Sequence, residues 1–206
     1  MKIVNHEVSL EWITPSAKFM IEKAGRTCYK SEDKAGVNPG AFIRRIIASG
    51  HHSVLEHASA SFRIITDRGV THEIVRHRIA SYSQESTRYC NYTGGRFDGQ
   101  LSFIRPVDLP ESLWQLWEKR MEQVEADYRS FIAAGARPQE ARSILPNCLK
   151  TEIVMTANFR EWRHFSELRS APDAHPDMRV VAKMVGAMLY QLEPEVFGDL
   201  IEGGNG

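Results

Sequence analysis

Residues Arg76-His77-Arg78-Ile79-Ala80-Ser81-Tyr82-Ser83-Gln84-Glu85-Ser86-Thr87-Arg88-Tyr89 concentrate hydrogen-bonding groups. Three arginines and one histidine fall within 13 residues, interleaved with four hydroxyls (Ser81, Ser83, Ser86, Thr87) and two tyrosines. So polar a segment is either a solvated loop or a site for a polar, anionic ligand. Solvated loops draw on Lys, Glu, Asp and Gly. A guanidinium presents a planar fork that meets phosphate or carboxylate oxygens in pairs, whereas an ammonium is a mobile point charge. The whole chain has 18 Arg against 8 Lys, and between Ser61 and Gln100 there are six Arg and no Lys. This composition favours phosphate and nucleobase as partners.

Other chemistries fit less well. His72-Glu73-Ile74-Val75-Arg76-His77 has the look of a zinc-hydrolase helix, but that motif needs its histidines four apart on one face. Here they are five apart, about 140° round a helix. His51, His52 and His57 around Glu56 read as polar residues between two elements rather than a metal cluster. No GxGxxG, Walker A or GxSxG pattern occurs, so a nucleotide cofactor would not lie in a Rossmann crevice. Cys90 or Ser86 as a nucleophile has no partner that spacing alone can supply. The cysteines (Cys28, Cys90, Cys148) are too few and too scattered for a disulfide scaffold or a zinc site.

The elements that must position these groups are legible in outline. Residues 2–13 read as a strand, followed by a helix capped by Ser16 and running towards Cys28. Ser31–Gly40 is a loop, and Ala41–Ser49 is a short helix stopped by Gly50. From His57, Ala58, Ala60, Phe62 and Ile64 alternate with polar residues, the pattern of a half-buried strand. Asp67-Arg68-Gly69 breaks it; Thr71–His77 then reads as helix and Ser86–Tyr92 as extended. Glu111–Ala134 is the clearest helix, with Leu113, Leu116, Trp117, Met121, Val124, Tyr128, Phe131 and Ile132 on one stripe. Pro138 starts a short helix that must end near Pro146, Thr151–Asn158 is a strand, and Arg160–Arg169 and Met178–Leu192 are helices. Strands and helices do not alternate strictly. The expected class is α+β: one domain over residues 1–206, a mixed or antiparallel sheet packed with helices, and no Rossmann fold.

Length and composition agree. The chain has 206 residues, is 42% hydrophobic and 25% charged, and has a formal net charge of zero. That balance belongs to an ordinary globular protein, and the absence of a basic excess argues against nucleic acid as partner. No segment has the apolar length of a membrane span, and the first residues lack a signal peptide's apolar run. The expected location is cytoplasmic.

Arg-His-Arg followed after seven residues by Ser, then Thr-Arg-Tyr, resembles the signature of the flavin-dependent thymidylate synthases. Three further stretches resemble that family in the same order. They are His51-His52-Ser53-Val54-Leu55-Glu56-His57, Ala141-Arg142-Ser143-Ile144-Leu145-Pro146, and Thr156-Ala157-Asn158-Phe159-Arg160-Glu161-Trp162-Arg163-His164-Phe165 with Leu168-Arg169 and then His175. Together they span about residues 50–178.

The resemblance implies reductive methylation of deoxyuridine monophosphate (dUMP) to thymidine monophosphate (dTMP). Methylenetetrahydrofolate would supply the carbon, and NADPH would reduce an FAD that supplies the hydride. It implies a homotetramer whose sites draw on several subunits. It assigns Glu73, Ile74, Val75, Arg76, Gln84, Glu85, Ser86, Thr87, Arg88, Arg142 and Arg169 to dUMP. Ser53, Arg76, His77, Arg78, Gln84, Asn158, Phe159, Arg160 and His164 would serve FAD, and His51 would lie near the folate or flavin ring. Arg169 is the implied catalytic residue, activating the uracil ring; by position alone it also reads as a cation at a helix C-terminus. Some members carry Gln at the position of Glu73, an acid at Gln84 and Asn at His164, which leaves those single contacts open. Two rival classes remain on the residues themselves: a nucleotide- or nucleic-acid-binding module without redox chemistry, and a metal-dependent hydrolase.

Overall fold

The computed structural model describes residues 1–202; the last four residues of the expected domain lie outside the described part. Its elements in chain order are β1 (Lys2–Val4), β2 (Glu7–Ile13), α1 (Ala17–Tyr29), α2 (Pro39–Ala48), β3 (Ser59–Asp67), α3 (Arg68–Ile74) and β4 (Ala80–Gln84). There follow β5 (Ser102–Ile104), α4 (Trp114–Ala133), α5 (Pro138–Ala141), β6 (Lys150–Asn158), α6 (Phe159–Ser170), α7 (Pro176–Leu192) and α8 (Pro194–Glu202). Short 3₁₀ turns join several of them. β2, β3, β6 and β4 form an antiparallel sheet in that order, and β1 pairs in parallel with β5. The fold is α+β with no Rossmann arrangement.

β3 and β6 are the centre of the sheet, and their sequences say why. In β6, Thr151, Ile153, Met155 and Ala157 are buried while Glu152, Val154 and Thr156 are not, the period of a strand covered on one face. The main core joins Phe62 and Ile64 of β3 and Ile153 and Met155 of β6 to Trp162 and Phe165 of α6 and Val181 and Val185 of α7. Trp162 is fully buried, and its indole N–H donates to the Ala60 carbonyl, so its one polar atom is satisfied. A second core, with Phe103, Met121, Tyr128 and Leu149, lies under α4 and β5.

Four expectations change here, besides the helix expected over Thr71–His77, which runs over Arg68–Ile74 instead. The strand expected over residues 2–13 is two strands in different sheets, parted at His6, which turns inward to meet Thr66 (3.0 Å) and Asp177 (2.9 Å). Ser16 does precede α1, but at φ 54° and without a side-chain cap. The Glu111–Ala134 helix opens with a 3₁₀ turn, and Leu113, Leu116 and Phe131 of its apolar stripe are exposed. The extended piece expected over Ser86–Tyr92 is instead Ala80–Gln84, while Ser86–Cys90 is a tight turn closed by the N–H groups of Tyr89 and Cys90 on the Ser86 carbonyl. Ala80, Tyr82 and Gln84 are half-buried and Ser81 and Ser83 exposed, an alternation that hydrophobicity alone conceals. α8 has no counterpart in the sequence reading.

Candidate active site

Two caps and one register build the site. β3 passes straight into α3 where Asp67 accepts the Val70 N–H at 2.7 Å, and β6 passes straight into α6 where Asn158 accepts the Glu161 N–H at 2.9 Å. The strands are antiparallel, with Asp67 opposite Lys150 and Ser59 opposite Asn158, so the two helices start at opposite ends of the sheet. The chain leaves α3 at Ile74, returns along residues 75–79 and re-enters the sheet with Ala80 opposite Ala157, beside the start of α6. β4 then carries it to Gln84 opposite Ile153, at the other end. Four strand steps cover about 14 Å. The arginine-rich segment is therefore two sites joined by a strand: Arg76–Arg78 at one end, Ser86–Arg88 at the other.

The first end is a connected polar cluster. α3 stops three residues before His77, and its last turns tighten through the Arg76 N–H on Glu73 and the His77 N–H on Ile74. The Tyr82 hydroxyl, reaching in from β4, donates to the carbonyls of Ile74 and His77 and fixes the bend. His77 is thereby set into α6, its ring 5.0 Å from that of Phe165 and 5.4 Å from that of His164. Its Nδ1 lies 2.8 Å from Glu161 Oε1, and its Nε2 lies 3.1 Å from Arg169 Nε. Arg169 also donates to the Glu73 carboxylate (2.8 Å) and the Glu73 carbonyl (3.1 Å). Burial holds the His77 pKa below the ordinary imidazole value; the Glu161 hydrogen bond works against this and the Arg169 charge with it.

A cavity of about 450 Å³ opens beside this cluster, lined among others by His52, Ile79, Asn158, Arg160 and His164. Arg160 is exposed and paired with Glu56 at 2.6 Å. Three carboxylates, Glu56, Glu161 and Glu167, also line it, the first two turned to Arg160 and His77. The amide, imidazoles and guanidinium around an exposed isoleucine suit an aromatic ring system that carries phosphates, so these donors fit a flavin dinucleotide. A larger cavity of about 510 Å³ between α2 and α8 contains none of the sequence-predicted residues. His77, Glu161 and His164 could also offer atoms to a metal. Both His77 ring nitrogens are already engaged, however, and a guanidinium stands 3.1 Å away, which opposes a divalent cation.

At the other end, Thr87 is buried and takes a 3.3 Å hydrogen bond from Arg142, Ser86 Oγ accepts the Arg88 N–H, and Arg88 lies over the Tyr89 ring. No hydrogen bond among the described residues joins Ser86, Thr87, Arg88 or Arg142 to His77 or Arg169. The side chains of Arg76, Arg78 and Arg88 are exposed and make no hydrogen bond or ion pair among the described residues.

Several candidates are spoken for. Ile74 and Phe159 are fully buried, Phe159 against the Phe197 ring, so these positions can offer a ligand only backbone groups. Glu85 accepts from Tyr92 (2.7 Å) and pairs with Lys150 (3.1 Å), and its own N–H donates to the Glu152 carbonyl. The Gln84 amide donates to Thr71 and Thr151. Val75 and Ser53 are exposed. His51 is hydrogen-bonded to the Tyr29 hydroxyl at 2.7 Å, and His52 to the Ile47 carbonyl.

Sequence reasoning missed Glu161, and the available signal pointed elsewhere. Asn158-x-x-Glu161 reads as a capping box, in which the Glu side chain returns to the cap N–H. Here Asn158 is still paired in the sheet, and the Glu161 carboxylate turns to His77. Tyr82 was visible only as one of the interleaved aromatics.

Exposed arginines, a buried imidazole tied to a carboxylate and a guanidinium, and a polar cavity outside any Rossmann fold belong to an enzyme class handling anionic, ring-bearing ligands. Comparison with known proteins narrows this. The family described as "Thymidylate synthase complementing protein" matches residues 9–195. The flavin-dependent thymidylate synthase of Geobacter sulfurreducens is 34% identical over 201 residues, covering 94% of this chain and 86% of that one. That of Corynebacterium efficiens is 36% identical over 210 residues, covering 93% and 83%. The fold is shared with the UMP/dUMP methylase PolB from Streptomyces cacaoi, solved with 5-Br dUMP, at a TM-score of 0.82, 22% identity and coverage of 98% and 97%. The chain belongs to the flavin-dependent thymidylate synthases, a family of methyltransferases.

Proposed function

We propose that this protein methylates dUMP to dTMP, taking the carbon from methylenetetrahydrofolate, with FAD as cofactor and NADPH as its reductant. The observation that carries the reading is the guanidinium of Arg169, fixed by Glu73 and His77, with Glu161 and His164 joining His77 to the cavity. A fixed cation placed where negative charge develops costs no reorganisation during reaction. Against the uracil carbonyls and N3 it stabilises the enolate-like form and makes C5 the nucleophile, so no cysteine nucleophile is needed. Burial pushes the Cys148 thiol up to about 11 and also raises Cys90, which keeps both thiols protonated and poorly nucleophilic.

Arg88, Arg142 and the Ser86-Thr87 turn take the dUMP phosphate. Asn158, Arg160, His164, Ser53, Arg76 and Arg78 hold the flavin, which supplies the hydride when bound. The two ends of β4 supply different ligands, and this favours a homotetramer in which one chain's Ser86–Arg88 turn completes another's site. Large apolar side chains flanking the arginines support it: Ile79 is 68% exposed and Tyr89 77%. Among the described residues no helix is long and apolar enough to cross a membrane.

The decisive experiment is colour followed by turnover. The purified protein should carry, or take up, FAD with a flavin absorption spectrum. Kept anaerobic with NADPH, methylenetetrahydrofolate and dUMP, it should release dTMP. A protein unable to bind FAD, or one that binds it and releases no dTMP, refutes the reading.

A further inference from the structure

We infer that Glu161 is a positioning residue for Arg169, acting through the tautomer of His77. The inference rests on the role of Arg169 proposed above. A guanidinium can only donate, so the His77 Nε2 that faces Arg169 Nε at 3.1 Å must present a bare lone pair. A neutral imidazole then carries its proton on Nδ1. That proton points at Glu161 Oε1, 2.8 Å away, and a carboxylate can only accept. Glu161 thus selects the one tautomer in which His77 can hold Arg169. The His77 side chain is 2% exposed, so water does not compete for either nitrogen. Of the charged or titratable groups facing the ring, Arg169 and His164 on α6 disfavour its cation, Glu161 accepts the Nδ1 hydrogen bond and on its own favours the cation, and Tyr82 on β4 turns its hydroxyl to backbone carbonyls; burial and the Arg169 contact keep the ring neutral. Glu73 on α3 faces Arg169 rather than the ring. With His77 and Glu73 on two sides, the guanidinium has one orientation.

A cap role for Glu161 would make no use of Arg169, and a double-mutant cycle separates the two. Flavin-loaded wild type, Glu161→Gln, Arg169→Ala and the double variant are titrated calorimetrically with dUMP. A glutamine offers either a donor or an acceptor to Nδ1 and so removes the tautomer bias. The expected result is that Glu161→Gln weakens dUMP binding about tenfold in the wild-type background and less than about twofold when Arg169 is already alanine. Glu161 also lines the cavity read as the flavin's, so every variant is kept at saturating FAD and compared at equal bound flavin per chain. Equal losses in both backgrounds overturn the inference. Should Glu161→Gln not fold, His77→Gln takes its place in the same cycle. Solid-state ¹⁵N spectra of histidine-labelled protein, assigned with His77→Gln, read the tautomer without any ligand. A protonated Nε2 in the wild type overturns the inference by itself. If Arg169→Ala leaves turnover intact while the wild-type tautomer is as stated, the role of Arg169 fails and the Glu161–His77 relation stands.

Discussion

The two ends of β4 solve opposite problems with the same residue types. At one end Glu161, His77, Arg169 and Glu73 satisfy each other within the chain, half or fully buried. At the other end, and on the rim at Arg76 and Arg78, the arginines stand exposed; Arg88 lies over the Tyr89 ring, and of these four among the described residues only Arg142 makes a side-chain hydrogen bond, at 3.3 Å to Thr87. The first region is already arranged before any ligand arrives. The second is arranged by what binds to it. A charge held by its own fold acts on the rate of a reaction as well as on ground-state affinity, because its orientation costs nothing on binding or at the transition state. A charge left to the solvent acts on affinity, because its bonds form only with the ligand.

The sharpest test of that division is Arg169→Ala. Turnover under anaerobic conditions should fall at least about 100-fold, the cost of removing one fixed donor from a developing anion. Flavin absorbance per chain should be retained. A parallel loss of flavin would merge the two regions into one binding surface. Arg142→Ala should act mainly on affinity: calorimetry should show dUMP binding weaker by about tenfold, since a hydrogen bond to a charged group contributes about 1.5–3 kcal/mol. That loss should shrink as salt is added, because the contact is exposed. Smaller still is the joint change Arg76→Ala with Arg78→Ala. Without partners among the described residues, the pair should leave stability within about 0.5 kcal/mol of the wild type by thermal melting. Its FAD affinity, followed by fluorescence, should fall several-fold at low salt.

How much of this was legible in the sequence follows from which interactions are local. Arg76, His77, Arg78, Ser86 and Arg88 announced an anion site because they are dense over a short stretch. The strand Thr151–Asn158 and the helix Arg160–Arg169 are legible to within a residue, the strand from its β-branched content. The separation of the two ends was not legible: Ser81 and Ser83 are as polar as a loop, and only pairing with β6 makes them a strand. The helix expected over Thr71–His77 ends early because Tyr82 takes the carbonyls of Ile74 and His77, a contact made by a residue outside the helix. Glu161 meets His77 across 84 residues of sequence. Its spacing from Asn158 matches a capping box, so nothing local points to so distant a partner.

The subtlest difference between the regions should appear in the pH dependence of stability. Burial lowers the His77 pKa in the folded protein below its value in the unfolded chain. Over that interval the unfolded state binds more protons, so stability rises with pH. The contribution of neutral His77 is complete above about pH 6.5, the ordinary imidazole value, and is lost as pH falls from there towards the lowered folded value. Thermal midpoints from about pH 8 down to about pH 5 should therefore drop more steeply for the wild type than for His77→Gln. The Arg76→Ala, Arg78→Ala pair should keep the wild-type slope, because arginines stay charged throughout. Glu161→Gln removes the hydrogen bond that supports the imidazole pKa, so it should widen the interval and steepen the loss. A slope unchanged by His77→Gln would mean that other groups carry the whole acid dependence and that the His77 ring is not held neutral by its surroundings.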